Sequence, residues 1–181
     1  MQIRPCREAD LKALRDLLVT VWHDTYDAIY GAERVAALTD RWHAIETLKA
    51  QLRRPNARDL VADDAGIIVG NASATFPDGR TVKLHRLYVH PSRQKEGVGA
   101  GLLRAVRTAF PEAEAIALEV EPANERAIAF YRKHGFTEAG QVADCGGMND
   151  GILAIRMVKR FNPLTRGVDT RKDNNHSCSD L

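Results

Sequence analysis

A single α/β domain, with a mixed and mostly antiparallel sheet and helices on both faces, is the fold class this 181-residue chain predicts, and three observations predict it. Helical apolar repeats occupy the first third. Period-two strand patterns separated by tight turns occupy the middle. From Lys83 to Glu121 a strand, a glycine-rich turn, a helix and a second strand follow in order. Two strands joined through a helix run parallel by a right-handed crossover, so this unit makes an otherwise antiparallel sheet mixed.

Taken in order, residues 2–6 read as a short first strand, and Glu8-Ala9-Asp10 opens a helix whose Leu11, Leu14, Leu17, Leu18 and Val21 follow the helical repeat. A connection is expected over residues 22–31, unusually aromatic with Trp22, Tyr26 and Tyr30. One helix is expected over residues 33–52, with Val35, Leu38, Trp42, Ile45 and Leu48 on one side and Pro55 beyond its end. Strands at 59–62, 67–76 and 80–89 form a meander turned at Asp63-Asp64-Ala65-Gly66 and Pro77-Asp78-Gly79. A helix over 102–110, a strand over 115–121, a helix over 124–134 and a hairpin of 136–143 with 152–160 complete a domain of residues 1–161. Residues 162–181 are polar without apolar periodicity and are expected to be a disordered tail.

Composition narrows the classes of function. A net charge of +2, with basic residues scattered among acids, gives no reason to expect a nucleic-acid or anionic-membrane partner. Cys6, Cys145 and Cys178 are far apart and lack Cys-x-x-Cys spacing, so neither a disulfide framework nor a metal site is suggested. His85 and His90 lack metal-ligand spacing on a helix. With no secretory-type apolar start and no bilayer-length apolar run, a soluble cytoplasmic protein is expected.

The turn Gln94-Lys95-Glu96-Gly97-Val98-Gly99-Ala100-Gly101 carries the most chemistry. Glycines let backbone approach a ligand closely, and the first turn of the following helix offers unpaired N–H groups at its positive end, a site for phosphate. Gln94, Gly97 and Gly99 resemble the acetyl-CoA signature of the GNAT superfamily of N-acetyltransferases. The resemblance implies that backbone from Gln94 through Lys95, Glu96, Gly97, Val98 and Gly99 to Ala100 holds the CoA pyrophosphate. It also implies that Leu87, Tyr88 and Val89 offer the thioester amides from a strand splayed off its parallel neighbour, acting as an oxyanion hole does. Pro91 is consistent with pairing that ends there.

A second segment resembles the same family: Leu118-Glu119-Val120-Glu121-Pro122-Ala123-Asn124 leading to Phe130-Tyr131 and ending in Gly135-Phe136. Asn124 stands where an N-cap belongs; the resemblance adds a hydrogen bond to the pantetheine arm. Tyr131 is by the same analogy the general acid that protonates the departing thiolate, a transfer expected to run downhill. Glu119, on the strand before Asn124, is by resemblance to GNATs that acetylate protein N-termini the candidate base for the acceptor amine, with Glu121 on the same sheet face as its competitor. Surface charge at a strand end is the plain alternative for both, and packing beside Phe130 the plain alternative for Tyr131.

The acceptor end is less defined. Trp22, Asp24 and Tyr26, with Asp27 and Tyr30, are expected to form a pocket for a cation, or else core aromatics and capping aspartates. A resemblance to bacterial polyamine acetyltransferases favours a polyamine or other small amine, ahead of a peptide or protein amine. The expected activity is acetyl transfer from acetyl-CoA to a primary amine in a ternary complex, without metal, and the resemblance adds a possible homodimer through 152–160. An acetyl-CoA sensor without turnover is the alternative. A dinucleotide-binding Rossmann unit is a remote one, opposed by Leu102 at the third glycine position and by the seven residues between Val89 and Gly97.

Overall fold

In the structure, a computed structural model, residues 1–143 and 153–161 are described. The polar 162–181 segment and residues 144–152 lie outside them. β1 (Gln2–Pro5) and a 3₁₀ turn (Glu8–Asp10) lead into α1 (Leu11–Tyr30), α2 (Ala32–Trp42) and α3 (Ile45–Leu52). The meander is β2 (Ala57–Asp64), β3 (Ile67–Thr75) and β4 (Thr81–Val89). Then come α4 (Val98–Ala109), β5 (Ala115–Val120), α5 (Glu125–Lys133), β6 (Thr137–Val142) and β7 (Ala154–Arg160). The sheet is ordered β1-β2-β3-β4-β5-β7-β6, and among the described residues only β4 with β5 pairs in parallel. That is the mixed sheet expected, and the mostly antiparallel order is incompatible with a Rossmann unit.

Two faces, two cores. α4 and α5 pack on one face, where Leu102, Val106, Ile128 and Tyr131 meet Leu84, Ile116, Leu118 and Met157. α1 and α3 cover the other, where Leu14, Leu18 and Leu48 meet Val61 and Ile68. Arg86 and Asp59 form an ion pair at 2.7 Å beneath that second layer with both side chains buried.

Two helix expectations are corrected. The aromatic stretch is no connection: α1 runs on to Tyr30 because Leu14, Leu18, Trp22, Tyr26 and Tyr30 recur every fourth residue and keep one face packed, until Gly31 stops it at φ 81°. The helix expected over 33–52 is broken. His43 caps α2, and Ala44 is extended (φ −54°, ψ 143°) before α3 starts, so the chain turns and His43 is buried under Trp22. Apolar spacing on both sides of the break stays helical, which is why periodicity does not reveal it.

Gly70 on β3 permits the close approach of α4. A Cβ there would lie 3.0 Å from Leu102 Cδ1, 3.1 Å from Val98 Cγ1 and 3.2 Å from the Tyr88 carbonyl oxygen. Gly70→Ala is therefore expected to cost about 1–3 kcal/mol by overpacking, read as a lower urea midpoint. Because Val98 is the first residue of α4, the variant is also expected to bind acetyl-CoA more weakly.

Candidate active site

β4 and β5 form the site by parting. Their pairing runs from Thr81–Ala115 to Leu84–Leu118 and no further, although β4 continues to Val89 and β5 to Val120. Each is still held on its outer edge, β4 by β3 as far as Val89–Gly70 and β5 by β7 as far as Val120–Ile155. The parting follows a bulge: Ser73 faces Arg86 and Ala74 faces Leu84, leaving His85 as the extra residue on β4. A bulge bends its strand and re-aims the residues after it. A cleft of about 980 Å³ passes through the gap, reaching from the α4 turn on one face to α1 and α2 on the other.

At the α4 end, Gln94, Lys95, Gly97, Val98, Gly99 and Ala100 line the cleft, as do Leu87, Tyr88 and Val89. Gly97 is left-handed at φ 83° and Lys95 at φ 67°, so the chain doubles back and presents the amides of the first helical turn. Gly101 N–H donates to the Gly97 carbonyl at 2.9 Å, the first bond of the helix ladder; the amides of Val98, Gly99 and Ala100 precede it. Gln94 Nε2 donates to the Val89 carbonyl at 3.2 Å and ties the turn to the end of β4. Glu96 does not line the cleft. It takes a hydrogen bond from Arg93 at 2.8 Å, and Arg93 also reaches Asp64 at 2.7 Å, so this ion pair braces the turn. A backbone cradle at a helix N-terminus beside a strand with an open edge fits a pyrophosphate carrying a long thin arm.

Asn124 is the N-cap of α5, its Oδ1 accepting from Ala127 N–H at 3.0 Å, and its Nδ2 lies 3.4 Å from the Tyr26 hydroxyl across the gap. Both readings of its position are thus geometrically open to it. Tyr131 lines the cleft with its ring wedged edge-on between Phe130 and Phe136. Burial, with a smaller effect from Tyr26, pushes its phenol well above the usual range. The downhill transfer expected from sequence is corrected by the values themselves. A phenol near ~10 protonating a thiolate whose thiol lies near ~8.5 works uphill by about 2 kcal/mol, and burial of the phenol alone steepens it. The same burial penalises the thiolate, so Tyr131 is suited to donate a hydrogen bond that becomes a full proton only as the sulfur leaves.

On the other face, Trp22, Tyr26 and Tyr30 line the cleft from α1, with Trp42 edge-on to Trp22 at 5.2 Å. Trp22 and Tyr26 are nearly buried, so they serve as core and wall together. Trp22 Nε1 donates to the Tyr88 hydroxyl at 3.2 Å, which places the Tyr88 ring on this face. Asp24 is not brought in. It stands at the rim, 3.4 Å from Arg126 and outside the main cleft.

Ile116, Leu118 and Val120 belong to the core on the α4 face, so alternation turns Glu119 to the α1 face. It lies 3.3 Å from Lys83 Nζ. Glu121 accepts from the Tyr30 hydroxyl and, at 3.4 Å, from Ala123 N–H, and it holds the end of α1 against the loop after β5. Glu119 and Tyr131 therefore line one cleft from opposite faces of the sheet. Sequence reasoning missed Lys83 and the Arg86–Asp59 pair. The period-two pattern puts Lys83 opposite Val82 and Leu84 and was enough to find it; Arg86 follows a bulge that the pattern does not register.

His43 also lines the cleft, 5% exposed, with no hydrogen-bond partner on either ring nitrogen. Burial, assisted by the charge of Arg86, lowers its pKa to about 3. Since the unfolded chain takes up that proton near ~6.5 and the native one does not, stability is full above that value and drains as the pH falls toward 3. From about pH 7.5 to about pH 5.5 this group alone is expected to remove about 1.4 kcal/mol. His43→Phe should flatten the fall by that amount in urea titrations at the two pH values; an unchanged difference would show that His43 is not the group responsible.

Among the described residues, no group of three or more His, Cys, Asp or Glu is placed to hold a metal ion, and no helix is long and apolar enough to cross a membrane. The profile of the acetyltransferase (GNAT) family matches residues 14–136. The peptidyl-lysine N-acetyltransferase YiaC of Escherichia coli (strain K12) is 27% identical over 154 residues, 83% of this chain and 90% of its own length. Among solved structures, the PaiA N-acetyltransferase of Thermoplasma acidophilum, in complex with coenzyme A, aligns with a TM-score of 0.78 at 22% identity, over 88% of this chain and 98% of its own, a likeness of fold. A ribosomal-protein-alanine N-acetyltransferase of Brucella melitensis aligns at 0.63 with 25% identity, over 89% and 100%.

Proposed function

We propose, on the premise that the chain belongs to the acetyltransferase (GNAT) family and uses acetyl-CoA as its donor, that it acetylates a singly charged primary amine on an aliphatic arm, such as a lysine side chain, by direct attack. The observation that carries the reading is one cleft through the β4–β5 gap with Glu119 and Tyr131 on its two faces. The donor supplies an activated acetyl thioester. The α4 turn and the edge of β4 hold and orient it, and β4 amides beyond Leu84 polarise its carbonyl. Glu119 takes a proton from the acceptor amine, which at neutral pH is mostly an ammonium. Tyr131 donates to the leaving sulfur from the other face. No nucleophile of the protein is needed.

Carboxylate engagement bears on the acceptor. Asp59 is bound by Arg86, Glu121 by Tyr30 and Asp24 by Arg126. The further ammonium groups of a polyamine therefore gain less here than in an acidic tunnel, whereas one ammonium that takes the place of Lys83 Nζ at Glu119, with its methylene arm against Trp22 and Tyr26, is well met. YiaC, named for peptidyl-lysine, agrees with that preference. The test is CoA release with lysine peptides, N-terminal peptides, spermidine and simple monoamines. Selectivity for lysine peptides or monoamines is the expected result; a decisive preference for spermidine overturns the acceptor class and leaves the transfer chemistry intact.

A further inference from the structure

We propose that Lys83 is a self-acetylation site: without an acceptor present, its amine takes the acetyl group from the bound donor and shuts the cleft to further turnover. The inference rests on the donor and base roles given above. Leu84–Leu118 is the last paired rung before β4 and β5 part; Lys83 immediately precedes it on one strand and Glu119 immediately follows it on the other. Val82, Leu84, Leu118 and Val120 all belong to the core on the α4 face, so Lys83 and Glu119 project together toward α1. Both line the cleft, and Nζ lies 3.3 Å from Glu119 Oε1.

An acceptor ammonium deprotonated by Glu119 must come within about 3 Å of the same carboxylate. Lys83 Nζ already occupies a place of that kind, on a half-exposed four-carbon arm that needs no backbone movement to swing. It is an acceptor held in the site. Glu119 takes one proton from the Lys83 ammonium, and the neutral Nζ forms a C–N bond to the thioester carbonyl carbon. The C–S bond breaks, its electron pair leaving with the sulfur, which is protonated by Tyr131. The second amine proton passes to solvent, and the products are Nε-acetyl-lysine at position 83 and free CoA thiol. The modified side chain has lost its charge and fills the place of the acceptor beside Glu119.

Being intramolecular, the step is expected to be first order and independent of protein concentration. Uncatalysed acetylation by a thioester follows exposure instead, and Lys12, whose side chain is 87% exposed on α1, is the internal reference. The full chain is incubated with acetyl-CoA and no amine, and acetylation is mapped by mass spectrometry over time and across a dilution series. Lys83 should be modified faster than Lys12 by about tenfold or more, at a rate unchanged by dilution, slowed by added acceptor amine and lost in Glu119→Gln. Modification of Lys83 no faster than Lys12, or at a rate that falls with dilution, overturns the proposal. CoA release to an external amine in the same preparation separates the two readings: release with Lys83 unmodified removes this proposal alone, while no release with any amine of the panel removes the site assignment beneath it.

Discussion

Tyr131→Phe should lower kcat by about 10²-fold or more, in the range for loss of a positioned general acid, while acetyl-CoA still raises the melting temperature as it does for the parent protein. The substitution removes one oxygen and leaves the ring that packs edge-on to Phe130 and Phe136, so the core on the α4 face keeps its volume. Burial makes the effect large. In water the leaving sulfur finds another proton donor at once, but in a cleft where Tyr131 is 8% exposed few water molecules can substitute for it. Binding retained with turnover lost supports the acid role. Turnover unchanged removes it and returns Tyr131 to a packing role, and a parent protein that binds acetyl-CoA but never turns over, with any amine, favours a sensor.

What was legible in the sequence follows from what is local. The turn before α4 needs glycine at Gly97, where φ is 83°, and a helix start directly after it; both are written in adjacent residues. Asn124 is readable as a cap because a cap is set by the three residues that follow it. The layers of β5, and of β4 as far as Leu84, are readable from alternation alone. The gap is not, since it depends on His85 being the extra residue opposite Ser73 and Ala74, and nothing in the strand's own pattern marks which residue bulges. The length of α1 was legible in principle: Leu14, Leu18, Trp22, Tyr26 and Tyr30 keep the four-residue step, but aromatic, Thr and Asp residues of modest helix propensity disguise it. The break at His43–Ala44 is a tertiary effect, in which burying one ring beneath Trp22 outweighs continuing a helix whose apolar spacing permitted it. Asp24 stands at the rim for the same reason that α1 was misread: once the segment is a helix, positions 22, 26 and 30 share the inner face and position 24 turns away.

Glu119→Gln is expected to lower kcat/KM at neutral pH by about 10²–10⁴-fold, and its pH dependence carries more information than the loss itself. Without a base the variant acetylates only the fraction of acceptor already neutral, and below an amine pKa near ~10 that fraction rises tenfold per pH unit. Its rate should therefore climb with a slope of one toward high pH and recover part of the deficit, whereas the parent protein, which removes the proton within the site, gains less over the same range. A second comparison separates base from scaffold. Glu121→Gln keeps a side-chain oxygen to accept from Tyr30, and it leaves Glu119 untouched on β5. It should lose little activity. If Glu121→Gln shows the large loss and the unit slope while Glu119→Gln does not, the base is the other carboxylate, and the Lys83–Glu119 contact becomes an ordinary ion pair of the strand pair rather than an occupied acceptor site. If both lose activity equally without a change of slope, the proton leaves through water, and the two glutamates act by holding α1 and β4 in position around the gap.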